Sequence, residues 1–266
     1  MKLQANNLTL EISGTTILKE IDFSIDQSEL VMLIGPNGSG KTSLIRALSG
    51  DVAVTHGEVL LQGKRLKQWS SADRAKKMAL LFQQVNVNFA ITVQQLIQLG
   101  RHPHPVEKAT DQNIIEQVMS CMGLTEMAQR SVLSLSGGEQ QRVQIARVLA
   151  QVWQLDGRLN GLLILDEPLA SLDIDYQYQL LQLLQTLRSK GLSIIVSIHD
   201  LNLASIFADR MILLDQGRVV ANGSPEQVFT QQNLAKVFHQ PVQIVPHPDS
   251  SRPQMMFSSA EYNPVI

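Results

Sequence analysis

Leu30-Val31-Met32-Leu33-Ile34-Gly35-Pro36-Asn37-Gly38-Ser39-Gly40-Lys41-Thr42 joins a wholly apolar run to a loop that satisfies G-x-x-x-x-G-K-[ST] in full. Five consecutive apolar residues are too few for a helix and too continuous for a strand with one wet face. The run therefore reads as a strand buried on both faces of a mostly parallel sheet. The glycines permit backbone conformations in which successive N–H groups turn inward and form a nest for phosphate oxygens. A helix opening near Lys41 adds its positive end, and the Lys41 ammonium reaches the β- and γ-phosphates. The Thr42 hydroxyl is placed to ligate Mg²⁺.

Outward from this loop, further short apolar runs recur: Ala79-Leu80-Leu81-Phe82, Leu162-Leu163-Ile164-Leu165, Ser193-Ile194-Ile195-Val196 and Met211-Ile212-Leu213-Leu214. Helical patterns lie between them at 43–48, 138–153 and 178–187, the last repeating leucine at Leu180, Leu181, Leu183, Leu184 and Leu187. Strands alternating with helices predict an α/β fold. Residues 3–26 and 57–63 alternate or are bounded by glycine, and read as antiparallel strands beside the main sheet. Residues 92–152 hold no strand candidate. Thr92-Val93-Gln94-Gln95 has capping-box spacing, and Ile115, Val118, Met119 and Met122 share a helical face. The expected organisation is an ATP-binding α/β core with an antiparallel β subdomain (1–88 and 153–226), a helical subdomain inserted at 89–152, and a tail of short elements at 227–266. Four prolines fall between Pro241 and Pro253 in that tail.

Composition narrows the class. At 266 residues, 44% hydrophobic and 17% charged, the chain is an ordinary globular protein. A net charge of −2 and a pI near 6.3 leave no electrostatic footprint for nucleic acid. The single cysteine, Cys121, excludes an internal disulfide framework, fits a reducing compartment, and reads as a packed core residue. The start, Met1-Lys2-Leu3-Gln4-Ala5-Asn6-Asn7, has no apolar h-region and is not read as a signal peptide. No apolar stretch approaches the roughly 18 residues of a membrane span, so work at a membrane calls for a separate membrane-crossing partner.

Two further motifs carry chemistry. The apolar run 162–165 leads into Asp166-Glu167. Adjacent residues at a strand's end point to opposite sides, so one acid can hold Mg²⁺ while the next addresses the attacking water. Leu135-Ser136-Gly137-Gly138-Glu139-Gln140-Gln141-Arg142 opens a long helix. Ser136 and Glu139 have capping-box spacing, and two glycines leave free N–H groups at the helix start. That is a second anion site, far in sequence from the first. A head-to-tail pair of copies could close each phosphate loop with the other copy's Ser136 site.

With these motifs in place the sequence resembles the ABC (ATP-binding cassette) ATPase family over roughly residues 1–226. Gly35 to Thr42 looks like its Walker A motif, Gln83 like its Q-loop glutamine, and Leu135 to Gln140 like its LSGGQ signature in an LSGGEQ form. Asp166 and Glu167 resemble Walker B and the catalytic glutamate. Ser171-Leu172-Asp173 resembles the D-loop, and His199 the switch histidine. The resemblance implies a P-loop NTPase core of RecA-like type, with ATP bound by Gly35, Pro36, Asn37, Gly38, Ser39, Gly40, Lys41, Thr42, Ser43 and Gln83. It also implies Mg²⁺ organised by Thr42, Gln83 and Asp166, water polarised by Glu167, and the γ-phosphate held by His199. Ser136 and Gly138 of a second copy clamp that phosphate from the opposite side. Phosphoryl transfer needs mainly positioning and charge neutralisation, so pairing can gate it. The sequence departs from the family pattern at Lys41-Thr42-Ser43, at Leu169 after Asp-Glu-Pro, and at Ile12, which stands where an aromatic stacks on adenine.

The run 92–101 and His199-Asp200-Leu201-Asn202-Leu203-Ala204 resemble the ATP-binding subunits of metal-chelate importers. Val245-Pro246-His247-Pro248 with Arg252-Pro253 is most similar to those of haem importers, with iron-siderophore and vitamin B12 importers as alternatives. A soluble, non-transport ABC scaffold is the alternative of another class. The resemblance implies a homodimer on the cytoplasmic face of the inner membrane, peripheral to two integral permease subunits and served indirectly by a periplasmic substrate-binding protein. A coupling helix of the permease is expected to dock near Gln83 and residues 89–101, with Phe89 and Arg101 as contacts. His102, His104, His239 and His247, in polar stretches, are read as solvated loop residues rather than haem or metal ligands.

Overall fold

The computed structural model describes residues 2–82, 90–104, 108–154, 159–248 and 250–257. In chain order, β1 (Leu3–Ile12) and β2 (Thr15–Ile25) precede β3 (Leu30–Ile34) and α1 (Lys41–Ser49). β4 (His56–Leu61), β5 (Lys64–Arg65), α2 (Ser71–Ala75) and β6 (Met78–Leu81) follow. A helical stretch then holds α3 (Val93–Gln98), α4 (Lys108–Cys121) and α5 (Gly137–Val152). Strand and helix alternate again in β7 (Leu162–Asp166), α6 (Ile174–Ser189), β8 (Ser193–Ser197), α7 (Leu201–Phe207), β9 (Arg210–Asp215) and β10 (Arg218–Gly223). The last elements are α8 (Pro225–Val228), α9 (Gln231–Phe238), β11 (Val242–Pro246) and β12 (Pro253–Phe257). The fold is α/β, with an antiparallel amino-terminal sheet and mostly parallel central strands, as the alternation predicts.

Contacts divide the chain into two compact units. The first comprises Met1–Gln4, Ser24–Glu29 and Val59–Val196; the second comprises Ala5–Phe23, Leu30–Glu58 and Ser197–Ile266.

In the second unit β10, β9 and β3 are neighbours. β3 runs parallel to β9, with Val31 opposite Arg210 and Ile34 opposite Leu213, and β10 returns antiparallel. All five residues of β3 are buried, which explains a run with no polar alternation. β1 does alternate, burying Ala5, then Leu8 and Leu10. Its phase slips at Asn6-Asn7, where Asn7 takes a φ of 46°. Gly57 of β4 passes against the carbonyls of Asn6 and Asn7 there, an approach a side chain would block.

In the first unit β8, β7 and β6 are neighbours, with β6 parallel to β7 from Met78 opposite Leu162 to Leu81 opposite Leu165. Among the described residues of 92–152 there is no strand, only an isolated bridge between Thr92 and Ser131. α3 opens on the expected capping box. Thr92 Oγ1 accepts from the Gln95 N–H (3.2 Å), and the Thr92 N–H donates to Gln95 Oε1 (3.0 Å). α3 packs on α5, and Gly100 lies against the Arg147 carbonyl so closely that only glycine fits.

Candidate nucleotide-binding site

Residues 35–42 run from the end of β3 into the first turn of α1, in the second unit. β3 delivers Gly35 beside the carbonyl of Leu214, so a Cβ at Gly35 would collide with backbone. Gly38 and Gly40 take φ of 77° and 105°, the left-handed region that L side chains avoid. The Lys41 ammonium is buried and donates to the carbonyls of Gly35 (2.8 Å) and Pro36 (3.1 Å). Asn37 and Gly38 are exposed at the loop's tip, and Thr42 and Ser43 are half-buried in the first turn of α1.

The loop is braced by a turn whose role its sequence does not announce. Gly217, between β9 and β10, donates its N–H to the Ser39 carbonyl (3.0 Å) and accepts from the Lys19 N–H (2.8 Å). Its missing side chain allows contact with the Ile17 carbonyl. His199 is exposed and leaves the sheet beside β3, because Ile198 donates its N–H to the Leu33 carbonyl (3.1 Å). Ile12 presents an aliphatic side chain that is 47% exposed.

In the first unit Asp166-Glu167, Ser171-Leu172-Asp173 and the start of α5 lie near one another. Asp166 ends β7 at 1% exposure, and its Oδ2 accepts no hydrogen bond although the residue is engaged elsewhere. Glu167 takes a φ of 50°, rare for a residue with a side chain. The backbone therefore leaves the extended conformation at Glu167, and the strand's pleat does not continue through it. Ser136 caps α5, its Oγ accepting from the Glu139 N–H (3.3 Å) while its own N–H donates to Glu139 Oε2 (2.7 Å). That bond from the Ser136 backbone lowers the Glu139 carboxyl pKa.

Ser136 and Gly137 are exposed, with open space where a Gly137 side chain would be. Gly138 faces the Ser171 carbonyl of the D-loop segment, where a Cβ would sit 3.2 Å from the oxygen. Gln141 Nε2 donates to the Pro168 carbonyl (3.2 Å), and the Arg142 guanidinium lies 4.2 Å from the Tyr176 ring centroid. Asp173 caps α6 by accepting from the Tyr176 N–H (2.9 Å). Gln141 and Arg142 thus tie 135–142 to 166–177. Thr42 in the second unit offers a hydroxyl and Asp166 in the first a buried carboxylate, each a hard oxygen donor of the kind Mg²⁺ takes.

Gln83 and Phe89 lie outside the described residues. Three expectations change, at Arg101, Cys121 and His104. Arg101 is not a surface contact. It is 4% exposed, pairs through Nε with Asp111 (2.9 Å), and donates from one terminal nitrogen to the carbonyls of Ala150 (2.6 Å) and Trp153 (3.3 Å). Cys121 is exposed rather than packed, since the buried face of α4 carries Val118, Met119 and, just past its end, Met122. Partial desolvation raises its thiol pKa. Of the histidines, His104 bonds the Gln151 carbonyl through Nε2 (2.7 Å), and desolvation lowers its pKa, whereas His102 and His239 are exposed. No cluster of potential metal-binding side chains occurs among the described residues.

Residues 18–170 match the family model described as ABC transporter. The chain is 38% identical over 251 residues to the hemin import ATP-binding protein HmuV of Pseudomonas fluorescens strain Pf-5, covering 94% of this chain and 98% of the relative. It is 37% identical over 241 residues to the protein of that name from Hahella chejuensis, covering 91% and 94%. Among solved structures it resembles an inward-facing metal-chelate type ABC transporter (TM-score 0.80, 24% identity, 97% and 98% covered) and, similarly, cbiO1 of Clostridium perfringens (TM-score 0.74, 26% identity, 88% and 92% covered). Motif order, loop geometry and the matched span agree, and the chain belongs to the ABC transporter family.

Proposed function

We propose that this chain binds ATP with Mg²⁺ on the loop Gly35 to Thr42 and hydrolyses it as a homodimer, powering import of a metal chelate, haem first. The observation that carries the reading is the outward-facing start of α5. Ser136 and Gly137 are exposed on a capped, glycine-opened helix end in a chain that already has a complete phosphate loop. A second copy presenting that end to the nucleotide completes the site, so hydrolysis waits for pairing.

In this reading the loop N–H groups and Lys41 bind the phosphates. Thr42, Gln83 and Asp166 hold Mg²⁺, which screens phosphate charge when bound. Glu167 takes a proton from the attacking water, and His199 orients the γ-phosphate. Identity of 37–38% to hemin import ATP-binding proteins over more than nine-tenths of the chain supports haem as the cargo. No helix of the described residues is long and apolar enough to cross a membrane, so the transport path belongs to partner permease subunits, with the chain at their cytoplasmic face. A periplasmic binding protein delivers the cargo. The segment 89–152 is proposed as the lobe facing the permease.

Glu167→Gln tests the chemistry: turnover should fall about 10²–10⁴-fold while ATP binding and pairing persist. Unchanged hydrolysis overturns the assignment. ATPase stimulation in complexes reconstituted with the permease tests the cargo. Haem should stimulate, and stimulation by a siderophore or cobalamin alone transfers the assignment to that chelate.

A further inference from the structure

The segment between His199 and β9 is short and held from several directions, all within the second unit. α7 has only seven residues, too few for a helix to persist on its own. Asp200 caps it by accepting from the Leu203 N–H (2.9 Å). Both flanks are tied to β3, the strand that runs into the phosphate loop. Ile198 donates its N–H to the Leu33 carbonyl (3.1 Å). Asp209 accepts at Oδ2 from the Leu30 N–H (2.8 Å) and returns its own N–H to the Leu30 carbonyl (3.0 Å).

The middle of α7 is held by the carboxy-terminal hairpin. β11 and β12 pair antiparallel, with Ile244 opposite Met255 and Pro246 opposite Pro253. Alternate residues of a strand present their backbone groups at the same edge, and Pro253 and Met255 do so toward α7. Residues three apart on a helix share a face, and Asn202 and Ser205 do so toward β12.

The Asn202 amide meets Met255 as a neighbouring strand would. Its Oδ1 accepts from the Met255 N–H (2.8 Å), and its Nδ2 donates to the Met255 carbonyl (3.3 Å). Ser205, fully buried, donates from Oγ to the Pro253 carbonyl (2.6 Å). An edge strand is thereby closed by side chains of the helix that begins two residues after His199. The hairpin is rooted by an ion pair between Arg252 and Glu226 of α8 (3.3 Å) and by buried Val242.

We propose that Asn202 and Ser205 are positioning residues: through them the hairpin β11–β12 clamps α7 and fixes where His199 stands relative to the phosphate loop. The proposal rests on the role given above to His199. Releasing the clamp lets the first turn of α7 shift while the loop residues that bind nucleotide keep their supports. The loss therefore falls on turnover rather than on binding, since small misplacements of a positioned group cost large factors in rate.

The full-length chain carrying Asn202→Ala, assayed for steady-state ATP hydrolysis, should show kcat lowered about tenfold with KM for ATP within about twofold. Ser205→Val and Ser205→Thr fill nearly the same space and differ in the hydroxyl. Valine should reproduce the loss and threonine should restore most of it, which keeps the test open if Asn202→Ala does not fold. The deciding readout is a cycle with His199→Ala. Asn202→Ala should cost little further in that background, because both act through one group. Full losses that multiply in the double variant, or a folded Asn202→Ala with parental kcat, overturn the clamp while leaving His199 its role. Parental activity in His199→Ala removes that role and the clamp with it.

Discussion

Arg101→Ala removes a guanidinium that is almost wholly buried and donates to Asp111, Ala150 and Trp153. The Asp111 side chain, 20% exposed, loses its partner, and the buried Ala150 carbonyl loses a charged donor in a packed environment. Removing one member of a buried pair costs about 3–5 kcal/mol, because the group left behind stays desolvated. A chain of this size loses about 2–4 °C in Tm per kcal/mol, so Tm should fall by at least about 6 °C. Arg101→Lys keeps the charge but reduces the rigid fork to a point donor, and should cost about 1–2 kcal/mol. Thermal unfolding followed by near-ultraviolet circular dichroism measures both. A parental Tm in Arg101→Ala, combined with failure to assemble with membrane subunits, refutes the structural role and restores the docking role expected from the sequence.

Gly35→Ala forces a side chain against the Leu214 carbonyl at a φ of 146°, and strain of about 1–3 kcal/mol should weaken ATP binding roughly 5- to 150-fold by calorimetric titration. The pKa of His104 is lowered by desolvation, so the unfolded chain binds the extra proton first as pH falls below about 6.5. Its contribution to stability is complete above that pH and is lost as pH drops through the lowered value. Tm should therefore fall more between pH 7.5 and 5.5 in the parent than in His104→Gln. The raised thiol pKa of Cys121 leaves less thiolate, so alkylation by iodoacetamide at pH 8 should be slower than that of free cysteine despite the residue's exposure.

Much of the fold and of the candidate site was legible because its signals are chemical and local. A phosphate nest demands glycines at set positions, and a capped helix start demands Ser136 with Glu139 three residues on. Strands buried on both faces favour apolar residues, so β3 shows as an unbroken apolar run and β7 as one broken only by Asp166 at its end. The missed features depend on backbone groups or on distant packing. Arg101 looks like a surface charge because its acceptors, Ala150 and Trp153, offer carbonyls that any residue would offer. Pro253 and Met255 hold α7 through backbone atoms, so nothing in their side chains marks the tail as a partner of that helix. Gly217 is a turn glycine like several others until its N–H is found on Ser39. Cys121 falls one position off an apolar face whose boundary periodicity does not resolve. The φ of Glu167 is invisible for a related reason: glutamate, unlike glycine or asparagine, does not signal a left-handed turn.

The two carbonyl bonds of Lys41 make the lysine a strut of its own loop. Its buried ammonium donates to Gly35 and Pro36 together, so the cation holds the very turn that carries it. Taking that charge away would loosen the turn as well as remove the cation proposed to meet phosphate, and the two losses would arrive together.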